Sequence, residues 1–285
     1  MQTISIISLK GGVAKTTTAA NMAYTLAAVH GKTVLVIDND KQGNASKAFD
    51  RYDPEDKDTI ARVMTDRKPD ISGIIKHTNY NNIDIITANM DLLDANLRAM
   101  VDTGRQQQTR FKKALSGTKV LGHGWAKIDY LPITEAYDYC IIDNAPDINM
   151  SIINALVMSN AVIVPVMIDQ YSFDGLDILL DQITQVQEDF NEQLSFDGCL
   201  ITQYQNNDVT NQGIEVLKNR GVPVFKQHIR RTERKLNEST FAKMPIVEYC
   251  VRCGATQDYK KFVAEYLKTA QTLDDVPDLG TNAEG

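Results

Sequence analysis

Cysteine is scarce: four residues (Cys140, Cys199, Cys250 and Cys253) in a chain of 285 form no disulfide framework. The N-terminus has neither the charged start nor the cleavage site of a secretory signal, so a reducing cytoplasm is the expected compartment. No period of 20–50 residues repeats, which excludes a solenoid or propeller. Positive charge is not in excess either, since the formal net charge is −7. Four acids of that balance (Asp274, Asp275, Asp278 and Glu284) fall in the last seventeen residues, leaving −3 on the remainder. A local basic face for nucleic acid is therefore still open. Only one stretch approaches membrane-spanning length without a charge, the 21 residues 148–168. It contains Ser151, Asn154, Ser159, Asn160 and Pro165, and reads instead as a buried helix over 152–158, a turn, and a buried strand over 161–166.

What is present is ordinary globular material, 43% hydrophobic and 24% charged. Short β-branched runs alternate with longer helical patterns, the signature of a mostly parallel, twisted central sheet with helices on both faces. Strands are expected at 3–8, 33–37, 83–87, 139–142, 161–166, 198–202 and 222–225, several of them apolar throughout, as strands buried on both faces are. Helices are expected at 16–29, 90–101, 106–115, 173–190, 211–220 and 257–272, with Gly31 stopping the first. Two polar segments, 50–77 and 116–136, read as surface excursions. The chain past Lys268 reads as disordered, which gives one domain over 1–270 and an acidic tail over 271–285.

The strongest local signal is Lys10-Gly11-Gly12-Val13-Ala14-Lys15-Thr16-Thr17, between an apolar strand and an alanine-rich helix. Glycines allow a tight turn whose N–H groups face phosphate oxygens, and the following helix adds the positive end of its dipole. Lys15 is placed to neutralise β- and γ-phosphates, and the Thr16 hydroxyl to bind Mg²⁺. The ordinary G-x-x-x-x-G-K-[ST] spacing fails, because Leu9 and Ala14 stand where its glycines belong; a second lysine, Lys10, opens the loop instead.

Lys-Gly-Gly-x-x-Lys-Thr-Thr resembles the deviant Walker A motif of the ParA/MinD group of P-loop ATPases. That resemblance implies an ATP-switched dimer in which Lys10 reaches across to the partner's nucleotide. Asp38-Asn39-Asp40-Lys41-Gln42-Gly43-Asn44 follows an apolar run and is similar to the Asp-x-Asp-Pro-Gln-x-Asn of partition ATPases. By that match Asp40 serves hydrolysis and Asp38 supports the metal, with Lys41 in the place of the family's proline. Ligands of open α/β sheets sit at this strand end, where a carboxylate can hold Mg²⁺ and another can orient the attacking water. The strand ending in Asp143 has the Walker B arrangement, which puts Asp143 near Mg²⁺ through water, and Asn144-Ala145-Pro146-Asp147 resembles the family's second switch, usually Asp-Thr-Pro-Pro, with departures at Asn144 and Ala145. Asn154-Ala155-Leu156, Val164-Pro165-Val166, Gln170-Tyr171-Ser172 and Gly175-Leu176 continue the likeness over roughly residues 2 to 270.

Between Lys226 and Lys235 five of ten residues are basic (Lys226, Arg230, Arg231, Arg234 and Lys235), and Glu233 is the one acid. Such a strip can contact backbone phosphate without reading bases. Ile229-Arg230-Arg231 is similar to the family's Ile-Pro-Arg, which makes Arg231 the expected DNA contact, flanked by Lys260 and Lys261. A second DNA arginine of the group is missing from 206–211. The resemblance places adenine near Thr202 and Arg230. It implies a partition ATPase of the short form, because no helix-turn-helix precedes the loop, with ATP and Mg²⁺ as cofactors. The implied partners are a second copy, nonspecific duplex DNA and a ParB-like centromere-binding protein on the nucleoid, with no membrane, since the chain ends acidic rather than in a basic amphipathic helix. Two other readings stay open: a positioning ATPase for a non-DNA cargo, and a metabolic or redox enzyme that uses Cys250 and Cys253 as a metal site.

Overall fold

Runs such as Val34-Leu35-Val36-Ile37 are apolar at every position, so a strand built from them must be covered on both faces. The computed structural model, which describes residues 1–121, 130–169 and 173–274, shows that cover. In chain order the first half comprises β1 (Gln2–Ile6), α1 (Lys15–His30), β2 (Val34–Asn39), α2 (Asn44–Ala48), α3 (Ile60–Thr65), α4 (Ile71–Ile74), β3 (Ile75–His77), β4 (Ile83–Ile86), α5 (Asp91–Val101) and α6 (Arg110–Ser116). There follow β5 (Lys119–Leu121), β6 (Tyr130–Pro132), α7 (Ile133–Ala136), β7 (Tyr139–Asn144), α8 (Met150–Met158) and β8 (Ala161–Val166). The chain continues through α9 (Asp174–Asp189), β9 (Ser195–Ile201), α10 (Asp208–Asn219), α11 (Glu233–Phe241), α12 (Ile246–Tyr249) and α13 (Gly254–Asp274).

Among the described residues seven strands form one sheet in the order β3-β4-β2-β7-β1-β8-β9. All neighbours are parallel except the β3–β4 edge pair. Side chains alternate across it. Ile4, Ile6, Val34, Val36 and Ile141 pack on one face against α1 and α13, while Leu35, Ile37, Cys140 and Ile142 face α3, α5 and α8 on the other. Cys140 and Cys199 are core residues, and burial pushes both thiols up to about 12. Gly31 adopts φ 66° and closes α1, donating to the Ala27 carbonyl at 3.1 Å. The uncharged 148–168 stretch becomes α8, started by the Asn149 side chain accepting from the Ile152 N–H, and β8. Among the described residues no helix is long and apolar enough to cross a membrane.

Four expectations need correction. Segment 50–77 is no surface excursion: Ile60, Val63, Met64, Ile71 and Ile74 of α3 and α4 are buried in the core, and β3 extends the sheet. In 116–136, Val120, Ile133 and Ala136 are likewise buried. Residues 222–225 form no strand and make only a parallel bridge between Val224 and Cys199, because Gly221 and Pro223 interrupt the run. The chain past Lys268 stays helical to Asp274, so α13 crosses the expected boundary at 270. The rest of the acidic tail, 275–285, lies outside the described residues, as does Gln170-Tyr171-Ser172.

Candidate functional site

Strands β1, β2 and β7 are neighbours in the sheet, and each delivers a chemical group at its C-terminal end. From β1 the chain enters the loop 8–14. Gly12 (φ 75°) and Ala14 (φ 65°) both take left-handed backbone, which is free for glycine but unusual for alanine. A Cβ added at Gly11 or Gly12 would meet no atom within 4 Å, so these glycines border open space rather than packed protein. The Lys15 ammonium donates to the Lys10 carbonyl at 2.9 Å, bending back over the loop. Burial pulls Lys15 below its ordinary value, while Asp143, Asp40 and Asp147 work in the other direction. The Lys10 ammonium is paired with Asp169, just past β8.

Asp38 and Asp143 are register partners on β2 and β7, and both are buried. Asp38 accepts from the Ser46 N–H and hydroxyl, each at 2.7 Å, and from the Asp40 N–H at 3.2 Å. Burial nevertheless raises it to about 7. For Asp143, neither carboxylate oxygen has a hydrogen-bond partner among the described residues. Burial first, and then the neighbouring Asp38, drive it well above the usual carboxylate range, against the pull of Thr16 and Lys15. A buried orphan carboxylate is costly, and a cation between it, Asp38 and the Thr16 hydroxyl would remove that cost. The donor set is all oxygen and leaves positions for water and phosphate, which suits Mg²⁺. Asp40 stands at the mouth of this arrangement, 8% exposed, with its carboxylate accepting from the Gln42 N–H at 2.9 Å. Behind it Gly43 (φ 63°) lies so close to Tyr52 and the Ala88 carbonyl that a Cβ would sit 2.4 and 2.7 Å from them.

Several participants were not legible in the motifs. Ser46 anchors Asp38. Asn39 and Asn144, also register partners, join side chain to side chain at 2.8 Å, so the residue after Asp143 is tied to the middle residue of Asp-x-Asp. Lys41 pairs with Asp147 at 3.6 Å, connecting the loops after β2 and β7. A signal for Ser46 existed, since a hydroxyl eight residues past a strand-end acid can return to it, but nothing local marked Asp169.

The expected adenine residues are already engaged. The buried Thr202 hydroxyl donates to the Val13 carbonyl at 3.0 Å, so it braces the phosphate loop. Arg230 makes a two-pronged pair with buried Asp258 (2.7 and 2.8 Å) and packs over Gly254. Arg230, expected near adenine and on the DNA face, thus already has a carboxylate partner while its side chain stays 55% exposed.

The basic strip also carries more acid than its sequence window shows. Arg231 pairs with Glu233, and Arg234 and Lys235 both pair with Glu238 at 3.0 and 2.6 Å. The chain brings Lys260 and Lys261 onto α13, half-buried and exposed respectively, while Lys226 lies at the strip's start with its backbone N–H on Glu265. A cleft of 330 Å³ lined by Thr16, Thr17, Asn44, Lys47, Leu236 and Ser239 runs from the phosphate loop to α11, the helix that bears Arg234 and Lys235. Cys250 and Cys253 are not buried, and among the described residues no group of three His, Cys, Asp or Glu side chains is placed to hold a metal.

Residues 1–196 match the family described as the AAA domain. The chain is 33% identical over 266 residues to the sporulation initiation inhibitor protein Soj of Bacillus subtilis, covering 92% of this chain and 96% of that protein. It is 29% identical over 269 residues to the chromosome partitioning protein ParA of Caulobacter vibrioides, covering 94% of each. Among solved structures it is similar to cobyrinic acid a,c-diamide synthase from Mycobacterium smegmatis, with a TM-score of 0.77, 23% identity, and coverage of 95% of this chain and 96% of that one. That crystal contains an ATP analogue and magnesium. At such identity the likeness speaks for the fold alone.

Proposed function

This chain belongs to the Soj/ParA family of AAA-domain ATPases, and from that premise we propose that it is a DNA-segregation ATPase that cycles between an ATP-bound dimer and a released form. The observation that carries the reading is the juxtaposition of an open, two-lysine phosphate loop with the orphaned carboxylate of Asp143. In the proposed ground state the N–H groups of residues 11–17 hold the phosphates of ATP and Lys15 leaves the Lys10 carbonyl for them. Thr16, Asp38 and Asp143 hold Mg²⁺, which supplies charge neutralisation for the phosphates. Asp40, at the mouth, orients and deprotonates the attacking water.

Lys10 reaches the partner's nucleotide in the dimer, as the family resemblance implies. Two copies align their basic strips, doubling the number of phosphate contacts on duplex DNA and hence the salt-sensitive affinity. The cleft between the phosphate loop and α11 supports a physical link between nucleotide and strip. A ParB-like partner stimulates hydrolysis, the dimer separates, and the protein distributes over the nucleoid according to its nucleotide state. Residues 1–270 act as a single ATPase domain.

The neutralisation of the strip by Glu233, Glu238 and Asp258 favours a second reading, a positioning ATPase whose cargo is not DNA. One experiment separates the two. Binding to nonspecific duplex DNA is measured with ATP, with ADP and without nucleotide, at low and moderate salt, for the natural chain and Lys15→Ala. Binding confined to ATP, steeply weakened by salt and lost in Lys15→Ala supports segregation. An ATPase that never binds duplex in any state overturns it in favour of the second reading.

A further inference from the structure

Away from the phosphate loop, the end of α3, the turns that follow α3 and α5, and α6 border an open cavity of 400 Å³. Helices α3 and α5 begin at the sheet edge that carries the loop, with the Ile60 N–H on the Thr87 carbonyl and the Leu92 N–H on the Asn89 carbonyl. Eleven residues of α5 then carry the chain away from that edge by about 16 Å. In a chain of net charge −7, five of the residues lining the cavity are cations: Arg67, Lys68, Arg105, Arg110 and Lys113. The one acid in its wall, Asp66, faces Arg62 at 2.8 Å.

The cations fall into two layers. Arg105 and Arg110 form a fixed floor. Both bind Asp102 at 2.9 Å, and they also donate to the carbonyls of Met64, Thr65 and Asp66, the last groups of α3. Capping α3 accounts for those bonds, but not for the rest of the site. Arg110 is 6% exposed and its buried Nε has no partner, while burial and the adjacent Arg105 both act against its charge. At the rim, exposed Arg67 and Lys68 make no ion pair or hydrogen bond among the described residues, and Lys113 holds only a neutral partner, Gln106. One carboxylate, Asp102, is thus shared by two buried-side guanidiniums, with three further cations around the mouth.

We propose that this cavity is a second ligand site, distinct from the phosphate loop, for a compact small molecule that carries several phosphates. Its volume lies within the ~300–1,000 Å³ of small-molecule pockets, and its planar guanidiniums suit phosphate oxygens. A duplex backbone would reach Arg67 and Lys68 but not the enclosed Arg110, so a compact anion fits the depth of the cavity better than nucleic acid does.

Inorganic tripolyphosphate is the probe, titrated calorimetrically into Lys15→Ala, in which the phosphate loop is disabled. Binding is expected to persist there. In the triple variant Lys15→Ala, Arg67→Ala, Lys68→Ala it is expected to weaken at least tenfold, and in Lys15→Ala, Arg67→Lys, Lys68→Arg to be largely retained, with unchanged thermal unfolding in all three. Absence of binding in Lys15→Ala, or equal binding in the triple variant, overturns the proposal. So does a result in which the paired alanines lower duplex binding and leave tripolyphosphate binding unchanged.

Discussion

Lys10 and Asp169 form an ion pair within one chain, joining the start of the phosphate loop to the segment that follows β8. The lysine proposed to serve a partner's nucleotide is therefore held at home in the single subunit. Both side chains are partly solvated, 28% and 36% exposed, and such pairs are worth at most about 1 kcal/mol. The restraint is weak enough for ATP and a second subunit to overcome, yet strong enough to bias the resting state.

Asp169→Asn removes one such pair from each subunit and should therefore strengthen ATP-dependent dimerisation by up to about thirtyfold, the factor equivalent to ~2 kcal/mol. Sedimentation equilibrium with a slowly hydrolysed ATP analogue checks it. A dimer constant that is unchanged or weaker in Asp169→Asn would show that the pair does not hold Lys10 back.

Asp40→Ala should lower ATP turnover by a factor on the order of 10²–10⁴, the range for loss of a general base, while ATP still assembles the dimer. Steady-state phosphate release and sedimentation, run on the same sample, report the two properties separately. A fully active Asp40→Ala enzyme would refute the assignment.

The acids along the strip set the third expectation. Removing Arg231 as Arg231→Ala should reduce the slope of log affinity against log salt for duplex DNA by about 1.8, the loss of one phosphate contact from each of the two subunits. Glu238→Gln, which releases Arg234 and Lys235 in each subunit, should steepen that slope by up to about 3.6. Fluorescence anisotropy across a salt series decides, and equal slopes for all three proteins would remove the strip from the DNA face.

The fourth concerns pH. Asp38 is raised to about 7 in the folded chain, against about 3.9 for a free aspartate. Between those values the native state binds more protons than the unfolded one, so stability falls as pH rises. The contribution is fully present below pH 4 and lost by pH 7, with a slope of up to about 1.4 kcal/mol per pH unit. Without nucleotide or Mg²⁺, the melting temperature should drop between pH 5 and 7.5, and Asp38→Asn should flatten the drop. Mg²⁺ with nucleotide should do the same, since bound metal keeps the carboxylates ionised. A melting temperature that rises over this interval in the metal-free natural chain would contradict the argument.

The sheet and the phosphate loop were legible because their signals are local. Val34-Leu35-Val36-Ile37 before Asp38, Tyr139-Cys140-Ile141-Ile142 before Asp143, and the Lys10 to Thr17 run each sit within one strand and its turn. What escaped depends on distance along the chain. Asp258 reaches Arg230 across 28 residues and Asp169 reaches Lys10 across 159, which no window of sequence displays. Segment 50–77 looked like surface because its many charges outnumber Ile60, Val63, Met64, Ile71 and Ile74, although those five are the residues that decide where it packs. The strip looked free for the same reason: Glu238 and Asp258 lie outside the ten residues that define it.

The strand order has a consequence for how the protein is made. β1 and β2 are consecutive in the chain but do not touch; β7 lies between them and supplies Asp143. At the ribosome, the Lys15 loop and Asp38 emerge early and wait for roughly another hundred residues before the strand that joins them exists. Before β7 exists, β1 and β2 have no pairing to each other, and closure of the sheet by a long-range insertion is the kind of step that proceeds slowly. The Asp38–Asp143 pair at the heart of the site is then assembled late, when the central strand enters its slot.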